Sequence, residues 1–347
     1  MPVIWLIDAY RAGEQSQVRA LVDALGWPCE TKRLTYRKHV VLPHVLGLTS
    51  LRGITADSAA MLQAPWPDLV ISSGVRNEPI CRWIRAHSGG RSRYVHVGRP
   101  WGPLSSFDMV ITTPQYRVPR HPNVLNNLLT LHSVTPQRLE QEREKWTASF
   151  AELPRPRIAV IAGGNSGPFT LGPKAATRLA HQASTLARQS GGSLLVSTSS
   201  RTSEEAIAAL RAGIDVPNYF YQWQPSDPAN PYFGILATAD RLVVTGDSIA
   251  MLSEACATGR PVQIFDLGGM RGESEVATDF RVGATAYAGL MRWCWQRLSR
   301  DITLVHSQLR ATSRAFWLDE ETGASVVPGE TDMERAVAAV KGLLGQP

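Results

Sequence analysis

Short apolar runs alternate with helical stretches along the whole chain, and the alternation runs twice. A parallel strand pair cannot be closed by a tight turn. It needs a crossover of a dozen or more residues, which a helix supplies, so this rhythm is the mark of parallel α/β units. In the first half, VIWLID (3–8) reads as a strand and GEQSQVRALVDALG (13–26) as a helix, with Val18, Leu21, Val22 and Leu25 spaced by three and four and Gly26 as its stop. DLVISSG (68–74) reads as a strand, EPICRWIRAHSGG (78–90) as a helix, and RYVHVG (93–98) and FDMVITT (107–113) as further strands. A charged helix (138–157) then runs into a proline-bearing joint near Pro154–Pro156. Beyond it the rhythm restarts with RIAVIAGG (157–164), a long helix (173–192), SLLVSTSSRT (193–202), a helix over EEAIAALRAGI, RLVVTG (241–246), a helix from 248, and RPVQIFDL (260–267). MERAVAAVKGLLG (333–345) reads as a closing amphipathic helix.

The pattern predicts an N-terminal α/β domain over 1–153 and a C-terminal α/β domain over 157–330. The final helix (331–347) is a candidate to cross back to the first domain. A length of 347 residues with 44% hydrophobic composition suits two such cores. No apolar run approaches the roughly 20 residues that span a bilayer. The first residues lack the basic start of a signal peptide, so a cytoplasmic protein, or one peripheral on the inner face of a membrane, is expected. Cys29, Cys81, Cys256 and Cys294 are scattered and read as buried thiols, neither disulfides nor metal ligands.

Charge is uneven. Residues 1–150 hold 18 Lys+Arg against 11 Asp+Glu, while the whole chain is +6. The first half therefore favours an anionic partner, and no nucleic-acid motif accompanies it. KRLTYRKHVVLPHVLGLTSLRG (32–53) mixes Lys32, Arg33, Arg37 and Lys38 with Val40, Val41, Leu42, Leu46 and Leu48. That is the composition of a segment lying on an anionic membrane surface, or of a core helix with a basic edge. Trp27, Trp83 and Trp101 are candidates for the same face.

Open parallel sheets bind ligands at the carboxyl ends of their strands. Three such ends in the second half are small and polar: GGNSG with Gly163, Gly164, Asn165 and Ser166; Thr198, Ser199, Ser200 and Arg201; and Gly246, Asp247 and Ser248. Glycines admit a ligand close to the backbone, while hydroxyls, helix-start amides and an arginine suit phosphate oxygens. Glu254 lies seven residues beyond Asp247, about two helical turns or roughly 10 Å along. A diphosphate at the helix start puts its ribose there, within reach of the carboxylate. The alternative is that Asp247 caps the helix and Glu254 lies in water.

The stretches GEQSQVRALVDALGWPCETKRL (13–34), PNVLNNLLTLHSV (122–134), IAVIAGGNSG (158–167), LLVSTSSRT (194–202) and above all NPYFGILATADRLVVTGDSIAMLSEACATGRPVQIF (230–265) resemble the mitochondrial-fission Elm family. This is a group similar to GT-B glycosyltransferases. The resemblance implies a GT-B-like fold, two Rossmann-type doubly wound domains facing across a cleft. It implies a nucleotide-sugar donor in the second domain, as substrate with no cofactor and no metal, and a glycan or lipid-linked acceptor in the first. Carried onto this chain, Glu254 matches a ribose-binding acid, Ser248 and Thr198–Arg201 match phosphate-facing loops, and Gly13 matches a close-approach loop after the first strand. An acceptor hydroxyl needs a base near the working pH. Asp8 and His96 are the leading candidates, with Glu14 a third, each beside a strand end. Departures from the family's usual stretches at SGVRNEP (73–79) and at Gln115 and Tyr116 keep a second reading, a non-catalytic GT-B-like scaffold or adaptor. A dinucleotide-dependent epimerase is disfavoured, since DAYRAGEQSQ (8–17) lacks G-x-G-x-x-G.

Overall fold

The computed structural model describes residues 1–37, 48–272, 278–293, 298–321 and 329–345. It divides into two compact units: Met1–Ser133 together with Gly329–Pro347, and Val134–Pro328. Each unit is built on a six-stranded parallel sheet with helical crossovers, the α/β class expected from the alternation.

Unit 1 carries β1 (Ile4–Ile7), α1 (Ala12–Leu25), β2 (Cys29–Lys32), α2 (Ala56–Ala60), β3 (Leu69–Ser73), α3 (Glu78–His87), β4 (Arg93–Val97), β5 (Met109–Thr112) and β6 (Val124–Asn126), in sheet order β2-β1-β3-β4-β5-β6. Its inner strands β1, β3, β4 and β5 are buried on both faces, and the pleat sorts their side chains. Ile4 and Leu6 of β1 join Leu69, Ile71, Val95 and Ile111 in one cluster, under Val18, Leu21, Val22 and Leu25 of α1. Trp5 and Ile7 point the other way, joining Val70, Tyr94 and Val110 under Ile80, Cys81 and Ile84 of α3. The unit is thus doubly wound: α1 covers one face and α3 the other. Four of its strands, β1, β3, β4 and β5, were legible as apolar runs, whereas the polar β2 (CETK) and the short β6 carry little strand signal.

Unit 2 carries α4 (Pro136–Trp146), β7 (Arg157–Ile161), α5 (Pro173–Ser190), β8 (Ser193–Ser197), α6 (Glu204–Gly213), β9 (Asn218–Tyr221), α7 (Tyr232–Thr238), β10 (Arg241–Thr245), α8 (Ile249–Cys256), β11 (Val262–Phe265), α9 (Val282–Trp293), α10 (Thr303–Ala311) and β12 (Phe316–Trp317), in sheet order β12-β11-β10-β7-β8-β9. The boundary expected at Pro154–Pro156 moves back to Ser133. The reason is α4, whose Trp146 indole fills the space that Gly234 leaves on α7, while Arg143 Nε donates to the Ala237 carbonyl at 3.1 Å. The charged helix therefore belongs to the second unit.

The last helix, α11 (Asp332–Leu343), packs in unit 1, where Ala336 and Val340 enter the α1 cluster. A capping box between Thr331 and Glu334 starts it. Asp332 clamps the loop after β6, accepting the Leu128 and Leu129 amides at 3.1 and 3.0 Å, while Asn127 Nδ2 donates to its carbonyl. Asp332→Ala strips two partly buried amides of a charged acceptor and is expected to cost about 1–3 kcal/mol. Urea unfolding measures the loss, and amide exchange should rise in α11 and at Leu128–Leu129. Unchanged exchange there would show that apolar packing alone docks the helix.

Three surface expectations change. Lys32 is buried, its ammonium 2.6 Å from Glu30 and 4.2 Å above the Trp5 ring, so it faces no membrane. Trp83 stacks on His87 and meets Trp66, and Trp27 packs against the α1 cluster. Positions 38–47, with Lys38, Val40, Val41, Leu42 and Leu46, lie outside the described residues. Among the cysteines, Cys81 and Cys256 are buried free thiols but Cys29 is exposed, because β2 is an edge strand; Cys294 lies outside the described residues. No helix among the described residues is long and apolar enough to cross a membrane.

Candidate functional site

In the second sheet the chain adds β8 and β9 on one side of β7 and then places β10 on the other. This reversal makes the β7/β10 pair a topological switch point, where loops diverge and a crevice opens at the carboxyl ends of the strands. Gly163–Ser166 follows β7 and Gly246–Ser248 follows β10, so two of the three loops singled out in the sequence flank it. The third, Thr198–Arg201, follows the neighbouring β8.

Asp247 binds these loops to one another. Its carboxylate is almost fully buried and accepts the Thr245 hydroxyl at 2.6 Å, the Gly164 amide at 2.9 Å and the Arg201 guanidinium at 2.9 Å. Burial pushes its carboxyl above the usual range, against the pull of Arg201 and the hydrogen bonds. Asp247 is therefore not the helix cap. Ser248 holds that position and makes no capping hydrogen bond with its side chain. Glycine is required twice at this junction: a Cβ on Gly163 would overlap the Asp247 carboxylate, and one on Gly164 would overlap the Arg201 carbonyl.

Most of the other predicted loop residues are engaged by partners within unit 2. Ser199 Oγ donates to the Gly163 carbonyl at 2.5 Å, and Thr198 Oγ1 accepts the Trp223 amide at 3.0 Å. Asn165 Oδ1 accepts the Leu171 amide, and Ser166 Oγ accepts from Arg300 at 2.5 Å. Ser200 is exposed at the tip. Gly246 packs beneath, its carbonyl accepting from the buried His306 ring at 2.8 Å. Burial lowers the His306 imidazole to about 4, so the ring stays neutral there. Ser248 is itself buried, and the α8 start beside it is a helix end of the kind that favours an anion.

Glu254 sits on α8 in a setting the sequence did not reveal. It is half-buried, and its Oε2 accepts the Tyr232 hydroxyl at 2.5 Å. Burial raises its carboxyl to about 7, with the Tyr232 hydrogen bond and the charge of Arg138 pulling the other way. Tyr232 itself is pushed well above its usual value. Neither Tyr232, 22 residues upstream, nor Arg138 on α4 carried a local signal. Arg281 and Arg300 were missed too; Arg281 Nη2 donates to the Gly167 carbonyl at 2.7 Å.

The two leading candidate bases lie in unit 1, and neither stands free. His96 is fully buried; Nε2 donates to the Arg99 carbonyl at 3.0 Å, so Nδ1 accepts from the Tyr94 hydroxyl at 3.0 Å. Burial lowers its pKa, and the ring reaches no solvent. The enclosed ring lacks the open position expected of a base. Asp8 does follow β1, but its Oδ2 accepts from Gln15 at 2.7 Å and Arg19 at 2.8 Å. Gly13 lies in the first turn of α1, where a would-be Cβ has nothing within 4 Å among the described residues and the carbonyl accepts from Gln17 Nε2 at 2.9 Å.

The family model described as mitochondrial fission ELM1 matches residues 12–282. The chain belongs to this family. Among its relatives, the Arabidopsis thaliana mitochondrial fission protein ELM1 is 28% identical over 246 residues, 63% of this chain and 57% of that protein. The chain thus spans less than two thirds of the length of that plant family member. An uncharacterized protein of Rickettsia prowazekii (strain Madrid E) is 25% identical over 296 residues, 76% of this chain and 82% of that one. The UDP-GlcNAc 2-epimerase from Neisseria meningitidis, solved bound to UDP-GlcNAc, aligns over 100% of both chains at 12% identity and a TM-score of 0.49.

Proposed function

We propose that unit 2 binds a nucleotide sugar and that the chain is a metal-independent glycosyltransferase of the GT-B kind. One observation carries the reading: the loops after β7, β8 and β10 converge on the switch point of the second sheet, beside the uncapped start of α8 and two turns from Glu254. In this reading the diphosphate lies on the α8 N-terminus and Ser248, and the ribose hydroxyls donate to Glu254. Asp247 serves as the internal tie that shapes the Gly163–Gly164 turn. Arg201 is held 2.9 Å from it, which lowers the local negative charge that a phosphate would meet. The leaving diphosphate is stabilised by the helix end and arginines, with no metal required. A cytoplasmic setting, with the acceptor a glycan or a lipid-linked group at a membrane surface, completes the reading.

A thermal-shift screen of UDP, ADP, GDP and UDP-sugars tests it. A nucleotide present at 100 times its dissociation constant adds about 2.7 kcal/mol to stability. A shift shared by one nucleotide and its sugars supports the donor site; no shift with any of them removes it. A second reading, a GT-B-like scaffold that acts by binding partners, is favoured by the state of the two leading candidate bases, His96 enclosed and Asp8 paired with Arg19. Nucleotide binding without release of the nucleoside diphosphate from any sugar donor would select it.

A further inference from the structure

The first sheet has a switch point of its own. From β1 the chain adds β2 on one side and then β3 on the other, and α1 and α3 leave towards opposite faces. The segments that flank the resulting crevice are Tyr10–Gly13 after β1 and Gly74–Asn77 after β3.

An arginine–tyrosine cluster is built there. Gly74 takes a φ of 87°, and a Cβ on it would lie 2.8 Å from the Tyr10 ring and 2.9 Å from Glu14 Oε2, so only glycine lets the ring settle on this turn. Tyr10 meets Tyr36 edge-on at 6.1 Å, and the Tyr36 hydroxyl donates to Asn77 Oδ1. Asn77 is itself fixed, donating to the Asp8 and Ser73 carbonyls at 3.1 and 3.0 Å. On this platform the Arg76 guanidinium lies 5.2 Å from the Tyr10 centroid and 5.8 Å from that of Tyr36, and Arg11 lies 5.5 Å from Tyr10. Two guanidiniums thus share one ring, whose face attracts cations but cannot neutralise them. Arg11 has Glu14 at 3.6 Å, whereas exposed Arg76 has no carboxylate partner among the described residues. Just behind, Asp8 is met by Arg19 at 2.8 Å and Arg33 at 3.9 Å. Four guanidiniums surround two carboxylates, an excess of two positive charges at a strand-end crevice. On the adjoining strand end Arg99 is held in the same manner, 5.1 Å from the Tyr116 ring and 5.7 Å from Trp101.

We propose that this crevice in unit 1 binds a phosphate monoester, with Arg76 and Arg11 as its ligands and Tyr10 as the platform. A planar guanidinium meets phosphate oxygens through two parallel N–H bonds, and rings that fix its orientation reduce the entropy lost on binding. A dianionic monoester matches the charge excess. The phosphate belongs either to a soluble phosphorylated compound or to a lipid headgroup. That the bound molecule is the glycosyl acceptor rests on the reading proposed above; that it binds does not.

Glycerol 3-phosphate, measured by calorimetry at low salt, probes the soluble source. Phosphatidylcholine vesicles with and without phosphatidic acid, measured by co-flotation, probe the lipid source. The wild type should bind at least one, more weakly as salt rises. Arg76→Gln and Arg11→Gln should each lose about tenfold or more, since a charge-assisted contact is removed. Arg76→Lys should keep part of the affinity, as a point charge without the fork. Arg120→Gln removes the same charge from an exposed arginine outside the crevice and should bind as the wild type does. Binding of glycerol 3-phosphate assigns a soluble ligand; binding confined to phosphatidic acid vesicles assigns a lipid. The proposal is overturned if the wild type binds neither probe, if both glutamine variants bind normally, or if Arg120→Gln loses as much as they do. A wild type that takes glycerol 3-phosphate but no nucleotide would keep this site and remove the donor reading.

Discussion

A Glu254→Gln protein should gain stability over the wild type at pH 8 while losing nucleotide affinity. The carboxyl of Glu254 is raised from 4.5 to about 7, chiefly by burial. Between those values the folded state holds a proton that the unfolded state has released, so stability falls as pH rises through that window. The contribution is complete below about pH 4.5 and is gone above about pH 7. At about 1.4 kcal/mol per unit, the loss is on the order of 3 kcal/mol, reduced by whatever water reaches the half-buried side chain. Glutamine keeps an oxygen for the Tyr232 hydroxyl and cannot ionise, so this pH dependence vanishes. Urea unfolding at pH 5 and pH 8 should show the variant pulling ahead only at the higher pH. The same substitution should weaken nucleotide binding at pH 8 by about 1.5–3 kcal/mol, tenfold or more, because a charged acceptor for the ribose hydroxyls is lost. Wild-type affinity should also climb between pH 6 and pH 8 as the carboxylate forms. A stability difference that ignores pH would show that Glu254 is not the buried acid described above. An unchanged affinity would remove it from the ribose. The alternative of Glu254 lying in water gives way to an acid held in a partly dry setting.

Asp247→Ala should destabilise the second unit by about 3 kcal/mol. Removing one member of a buried ion pair costs about 3–5 kcal/mol because the partners remain without an acceptor. The lower end applies here, since the Arg201 side chain is 38% exposed and recovers water. The Gly164 amide and the Thr245 hydroxyl do not recover it, being buried in the junction. Ser200→Ala, on an exposed residue of the same predicted loops, should change stability by no more than about 0.5 kcal/mol. Chemical denaturation separates the two. Equal effects would mean that the junction is held by its backbone and not by the carboxylate.

The parallel α/β class was legible because strands such as IWLI, and the LVV centre of RLVVT, are continuous apolar runs, as strands covered on both faces tend to be, and because helix-period stretches separate them. Edge elements escaped for the same reason: CETK of β2 and NYFY of β9 bury less, so little hydrophobic signal marks them. The unit boundary was misread because Pro154–Pro156 is a local break, while the assignment of α4 depends on Trp146 finding Gly234 88 residues away in the chain. For the candidate site, the strand-end loops and Glu254 followed from chain order alone, since glycines, hydroxyls and an acid at helical spacing are local chemistry. Their states did not. Whether Asp247 caps a helix or ties Gly164 and Arg201 together, whether His96 is open or enclosed, and whether Glu254 titrates at the usual value or near 7 all depend on partners brought in from other elements. Sequence determined which groups stand at the ends of the strands, because periodicity and turn residues act over a few positions. Tertiary structure alone decided which of those groups are neutralised, enclosed or left outward. Burial and charge pairing act through space, between segments whose separation along the chain says nothing of their distance.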